Sequence, residues 1–143
     1  MQQLTQDMIE AGKELAVVLE ARIDLRGALW AFMSDTQTWR YVICTPLVEK
    51  QGPLKAYAAI RKVLETVTSN ETAFVMGFYG TFLVDLKEPL IQNLSKIIST
   101  SQGISAIRLT GNIVNNVLLE DAYIYMLNLQ GKALRAHVRD DKN

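Results

Sequence analysis

Cysteine and histidine are scarce in this chain of 143 residues, which contains one of each, Cys44 and His137. A single cysteine cannot form a disulfide within the chain, and it cannot supply a cysteine-based zinc site. Cys44 lies in an apolar stretch with no base beside it, the setting of an inert core thiol. His137 lies in the polar C-terminal segment, so the sequence offers few residues from which a histidine-dependent catalytic triad could be built.

The chain also lacks an excess of either charge, because fifteen basic residues balance fifteen acidic ones. Proteins that bind nucleic acid through phosphate contacts usually carry a basic excess. Aromatic residues and arginines do alternate in places, as sheet-based RNA binders require, but neither RNA-binding aromatic signature is present. The sequence therefore gives no strong nucleic-acid signal.

Long hydrophobic runs are missing as well. The longest, AFVMGFYGTFLV (73–84), falls short of the ~18–20 residues that span a bilayer and contains two glycines. The N-terminal MQQLTQDMIEAGKE is polar and acidic, unlike a signal peptide. These features predict a cytoplasmic protein with no membrane contact. No phosphate loop, dinucleotide fingerprint, histidine zinc motif or nucleophile elbow occurs, so we expect no cofactor and no metal site.

Hydrophobic residues make up 49% of the chain, enough for one core, and their spacing indicates the elements. The pattern predicts a helix over 5–21, a β-hairpin of Leu25–Ser34 and Trp39–Thr45, a helix from about Pro53, a strand at 81–85, a helix from Pro89, and a final hairpin. The polar residues SNET (69–72) predict a loop, and residues 73–80 fit a strand or a loop. The first hairpin strand is apolar on both faces, which is typical of a central strand or of one covered by a partner chain.

The predicted order is α-β-β-α-β-α-β-β. It indicates a single α+β domain over residues 1–129, a two-layer sandwich with three helices on a mostly antiparallel sheet of about five strands. Residues 130–143 predict a polar, flexible tail.

Two carboxylates, Glu120 and Asp121, interrupt the last strand. Adjacent strand residues point to opposite faces, so the two cannot converge on one metal. A two-residue turn at Asn115–Asn116 would pair Thr110 with Asp121 and Arg108 with Tyr123.

That register gives Asp121 two interpretations. The favoured one is an ordinary cross-strand ion pair with Arg108, of a kind that stabilises by ~0.2–1 kcal/mol. The alternative is a small polar pocket, formed by Arg108, Thr110, Asp121 and Tyr123, that binds an anionic ligand.

The sequence VDLK (84–87) resembles part of a metal-nuclease active site, in which an acid at a strand end is followed by a lysine. Asp85, Lys87 and Asp121 are thus the catalytic candidates. The favoured interpretation of Asp85 is a polar residue at the start of the third helix, where the helix dipole stabilises an acid.

Large aromatic residues provide the candidates for an interface. Aromatic side chains are enriched where proteins meet, and two glycines among the apolar residues of 73–80 are typical of an interface segment or an adaptable flap. The predicted interface residues are Trp30, Phe32, Phe74, Phe78 and Tyr79. The predicted partner is a second copy of the chain, as a homodimer, or another protein.

Several segments together resemble a set of small bacterial proteins without an assigned function: ALW (28–30), TWRYVICTPLVEKQGP (38–53), EPLIQNL (88–94), GISAIRL (103–109) and EDAYIYML (120–127). The resemblance covers nearly the whole chain except the tail. It implies a stand-alone bacterial domain, and it carries no activity and no site residues.

Taken together, the sequence favours a non-enzymatic bacterial protein that acts through protein–protein contacts. A metal-dependent hydrolase or nuclease using Asp85, Lys87 and Asp121 is the alternative, and an anion-binding module around Arg108 is a weaker one.

Overall fold

The chain forms an α+β fold built on a five-stranded mixed sheet, in a computed structural model that describes residues 3–101, 103–111 and 119–131. The helices are α1 (Gln6–Arg22), α2 (Leu47–Gln51), α3 (Pro53–Thr66), α4 (Asn70–Tyr79) and α5 (Pro89–Ser95). The strands are β1 (Gly27–Met33), β2 (Thr38–Cys44), β3 (Thr81–Val84), β4 (Ile107–Thr110) and β5 (Leu119–Leu127). The predicted fold class is confirmed, although the described residues form five helices where three were expected. None of these helices has the length and apolar character needed to cross a bilayer.

The sheet has the order β3-β2-β1-β5-β4, so β1 is its central strand. It pairs antiparallel with β2 and β5, while β3 runs parallel to β2. Trp30 and Phe32 on one face of β1 belong to the core shared with α1 and α3, and Leu29 and Ala31 on the other face pack in the core of α5. The apolar pattern on both faces of β1 is therefore explained within one chain, without a partner.

Helix α1 is held against the sheet by polar as well as apolar contacts. Three aromatic side chains on adjacent strands donate hydrogen bonds to its main-chain carbonyls: Trp30 Nε1 to Met8 at 2.8 Å, Tyr41 Oη to Gly12 at 2.8 Å, and Tyr125 Oη to Ile9 at 2.6 Å. The close approach requires a glycine, because a Cβ atom on Gly12 would lie 2.6 Å from Trp30 Nε1. These contacts fix both the height and the rotation of α1 over the sheet.

Residues 73–80, for which the sequence predicted a strand or a loop, form most of helix α4. Its N-cap is Ser69, whose Oγ accepts a hydrogen bond from the Thr72 N–H at 3.2 Å. Gly80, with φ of 87°, ends it. The SNET segment, predicted as a loop, is thus the cap and first turn. The aromatic and β-branched residues of this run favour a strand, but the capping residues at its two ends, Ser69 and Gly80, are those of a helix.

The register of the last two strands was predicted correctly. Arg108 pairs with Tyr123, and Thr110 pairs with Asp121. The Asn115–Asn116 turn lies outside the described residues, as does the tail beyond residue 131. Phe32 pairs with Asp121 and Met33 with Leu119, so Glu120 occupies an irregularity of the β1–β5 ladder and is exposed.

Candidate functional site

The predicted anion pocket is a cross-strand ion pair at the sheet edge. Arg108 Nε lies 2.7 Å from Asp121 Oδ1, and Arg108 Nη2 lies 2.5 Å from Asp121 Oδ2. The hydrogen bonds to Asp121 raise the pKa of Arg108, and the guanidinium carbon lies 5.8 Å from the Trp39 ring centroid. The structure brings Thr110 and Tyr123 alongside, as predicted. Because two guanidinium nitrogens are already engaged by Asp121, an anionic ligand would have to compete with that carboxylate.

The candidate metal residues do not converge. Asp85 Oδ1 accepts a hydrogen bond from the Lys87 N–H at 2.8 Å, and Lys87 Nζ lies 3.6 Å from Glu49. Asp85 follows β3 at the Cys44 end of the sheet, whereas Asp121 is three strands away at the opposite end. The usual spacing between strands and the rise per residue place Asp85 and Asp121 about 20 Å apart. Across the described residues, no three Asp, Glu, His or Cys side chains form a possible metal site.

Cys44 lies in the core, as an inert thiol would. It is fully buried, and its Sγ lies 3.5 Å from the carbonyl oxygen of Asp85. Burial raises the pKa of the Cys44 thiol to about 12, so the side chain is neutral at physiological pH.

The predicted interface residues fall into two groups. Trp30 and Phe32 are 0% and 1% exposed, so they are core residues that no partner can reach, and their assignment to an interface is wrong. Tyr79 is half-buried, with its ring centroid 5.6 Å from that of Trp30. Phe74 and Phe78 are 74% and 70% exposed, one turn apart on α4.

Helix α4 is apolar on two sides. Its inner side contributes Thr72 and Met76 to the buried interior, while its outer side presents Phe74 and Phe78 to solvent. Gly77 beside them faces open space, with nothing within 4 Å of a Cβ atom placed there. A helix that is apolar on all sides is normally covered on all sides. The outer side of α4 is therefore an uncovered apolar surface.

A groove of about 680 Å³ runs between α4 and α1 and adjoins this apolar side. Its lining residues are Asp7, Glu10, Ala11, Glu14, Ser69, Asn70, Glu71, Thr72, Phe74 and Val75. We call these residues, together with Phe78, the α1–α4 surface. Its acidic side chains come mostly from α1, and its apolar ones come mostly from α4.

The acidic side chains of the surface differ in what they contact. Glu14 accepts hydrogen bonds from Ser69 N at 2.5 Å and Ser69 Oγ at 3.2 Å, which ties the start of α4 to α1. Asp7, Glu10 and Glu71 form no ion pair or hydrogen bond with another side chain in the described part of the chain. The negative charge of these three carboxylates is thus available to a partner.

Sequence reasoning missed this groove, although part of its signal was visible. Asp7, Glu10 and Glu14 follow helical spacing and share one side of α1, away from its apolar stripe. Glu71 was placed in a loop. The apolar wall of the groove exists only because residues 70–79 form a helix, which the sequence pattern did not predict.

Comparisons with known proteins add no family to this description. No protein-family profile matches the chain, and no curated protein or solved structure is similar enough to count as a match.

Proposed function

We propose that the protein acts through protein–protein contacts and that its partner docks on the α1–α4 surface. The observation that carries this proposal is the outer side of α4, where Phe74 and Phe78 are 74% and 70% exposed one turn apart. Exposed aromatic pairs of this kind are costly to leave in water, and they are typical anchors of interfaces.

The shape of the surface supports the same proposal. A groove between two neighbouring helices, with an apolar wall, is a common docking site for a partner segment. The hydrogen bonds that join Glu14 to Ser69, and those that hold α1 on the sheet, keep both walls in place before binding. Preformed walls lower the entropic cost of association.

The predicted homodimer is a second form of this proposal, and the charge of the surface argues against it at this place. A two-fold interface sets the same patch of each copy against itself. Asp7, Glu10 and Glu71 would then face their own counterparts, and like charges placed together cost binding energy. A partner of different chemistry fits the α1–α4 surface better than a second copy does.

The alternative of a metal-dependent hydrolase has less support. It requires Asp85 and Asp121 to share one cleft, and these residues lie about 20 Å apart by strand spacing.

Site-specific photocrosslinking in the native cells tests the proposal. A photoreactive phenylalanine analogue replaces Phe74 or Phe78, and a control replaces Leu54, an apolar residue of α3 that is 87% exposed. We expect discrete crosslinked species from positions 74 and 78 and none of these from position 54. Adducts of equal pattern at all three positions, or no adduct at 74 and 78, would contradict the proposal.

A further inference from the structure

We infer that the segment docking on the α1–α4 surface is a basic amphipathic helix, whose apolar side contacts Phe74 and Phe78 and whose lysines or arginines face the carboxylates. This inference rests on the proposed function and adds the chemistry of the partner. It combines two features of one surface, an uncovered apolar helix side and a carboxylate-lined groove beside it.

Charge is the first argument. The groove carries four carboxylates, from Asp7, Glu10, Glu14 and Glu71, and no basic residue is among those that line it. Three of these carboxylates have no counter-ion in the described part of the chain. A partner that brought acidic or neutral side chains here would remove water from these groups without replacing it, whereas lysine or arginine would pair with them.

The arrangement of polar and apolar groups is the second argument. Ala11 is buried, Val75 is half-buried and Phe74 is exposed, so apolar atoms lie between the carboxylates of α1 and the open side of α4. An amphipathic helix meets such a surface with one apolar stripe and basic residues beside it. A uniformly charged segment would leave the phenylalanines in water.

The dimensions of the surface set the length of the docked segment. The lining residues extend from Asp7 to Glu14 along α1 and from Ser69 to Phe78 along α4. At a rise of about 1.5 Å per residue, this corresponds to about 10–14 Å, or two to three turns of a helix. A third helix can pack along α1 and α4 by the usual fitting of side-chain ridges into grooves.

Labelled peptides added to the full chain test the inference. The probe is a helix-forming peptide of about 14 residues with leucine at positions i, i+4 and i+7 and lysine on the other faces. A matched peptide replaces every lysine by glutamate. Fluorescence anisotropy should show the lysine peptide binding at least about tenfold more tightly, and its affinity should fall as salt rises from about 0.05 M to about 0.3 M.

Charge-reversal variants locate the binding. Glu10→Lys with Glu71→Lys should weaken the lysine peptide by at least about tenfold. Phe74→Ser with Phe78→Ser should weaken it by a similar factor. The matched control is Glu49→Lys with Glu120→Lys, which reverses two exposed carboxylates outside the surface and should leave the affinity unchanged. Thermal melting of each variant confirms that it is folded.

Three results would overturn the inference. The first is equal binding of the lysine and glutamate peptides, and the second is an affinity that both double charge reversals change alike. The third concerns residues 130–143, which contain four lysines and arginines against two acidic residues. If Arg135→Gln with Arg139→Gln tightens peptide binding, this segment is the occupant of the surface and an external partner is not.

The crosslinking experiment separates this inference from the function on which it rests. Crosslinks at positions 74 and 78 to a segment without a basic excess would leave the proposed function standing and overturn the inference. If positions 74 and 78 give no crosslinks, the proposed function itself is contradicted.

Discussion

Two glycines in helices have opposite surroundings, and each is explained by what lies next to its Cα atom. Gly12 of α1 faces the ring of Tyr125 and lies so close to Trp30 Nε1 that a Cβ atom would be 2.6 Å away. Gly77 of α4 has nothing within 4 Å of that position. Gly12 is thus a packing requirement, whereas Gly77 only weakens its helix.

The same substitution should therefore have opposite effects at the two glycines. Gly12→Ala should lower the free energy of unfolding by about 1–3 kcal/mol, because the aromatic anchors of α1 must move. Gly77→Ala should raise it by up to about 1 kcal/mol through helix propensity. Urea denaturation measures both. A loss of equal size at the two positions would mean that the close approach at Gly12 has no energetic role.

Cys44 gives a prediction for alkaline pH. Burial raises its pKa from an ordinary 9.0 to about 12, so the native state holds the proton more tightly than the unfolded state. The stability due to this neutral thiol is fully present below pH 9.0 and is lost as pH rises towards about 12. Unfolding free energy should fall more steeply over this range in the wild type than in Cys44→Ala. Parallel curves would contradict the prediction.

The Arg108–Asp121 pair should contribute little. Arg108 is 43% exposed and Asp121 is 22% exposed, so water and salt weaken their attraction. Asp121→Ala should cost about 0–1 kcal/mol in chemical denaturation, and less in high salt. A loss of about 3 kcal/mol or more would reveal a buried charge network.

Helices and strands that are determined by residues close together in the sequence were predicted, whereas an element that depends on tertiary contacts was not. The hairpin of β1 and β2, the start of α3 at Pro53 and the Arg108–Tyr123 register follow from local periodicity and turn residues, and they were predicted. Helix α4 was missed because its aromatic and β-branched residues favour strands. Its contacts with α1 and the sheet override that preference.

Edge strand β3 shows how a neighbouring helix protects a short strand. The hydroxyl of Tyr57 on α3 donates to the Thr81 carbonyl at 3.4 Å and accepts from the Leu83 N–H at 3.5 Å. These are main-chain groups of an edge, where unpaired strands invite association with other chains.

Tyr57→Phe should expose this edge while leaving the fold intact. The Leu83 amide should then exchange its hydrogen for deuterium faster than in the wild type, since one partner of its N–H is removed. The amide of Val42 in the interior of the sheet provides the comparison within the same sample. Unchanged exchange at Leu83 would mean that the Tyr57 hydroxyl protects the Leu83 N–H no better than water does.

For the whole molecule, the informative quantity is where charge lies, not its sum. The formal net charge of the chain is +0, yet four carboxylates line one groove. Composition could not reveal this, because the groove brings residues of α1 together with Glu71 on a helix that was not predicted. The candidate surface was therefore predicted only through Phe74 and Phe78, which belong to one apolar run of the sequence.

This distribution predicts the state of the free chain at low salt. Repulsion between the carboxylates should oppose contact of two copies through the α1–α4 surface. Glu10→Gln with Glu71→Gln should increase self-association in light scattering, because the phenylalanines stay exposed while the repulsion falls. A wild-type chain that already forms a dimer, insensitive to these changes, would indicate that copies meet elsewhere.

The position of β1 between β2 and β5 also has a consequence for the growing polypeptide on the ribosome. The β1–β2 hairpin emerges early, but the strand that pairs with the other edge of β1 is β5, which comes from residues 119–127. Synthesis adds about 5–20 residues per second, so this edge of β1 stays unpaired for several seconds before β5 is made. During that interval the nascent chain presents an unpaired apolar strand, and we expect it to engage chaperones until β5 has left the exit tunnel.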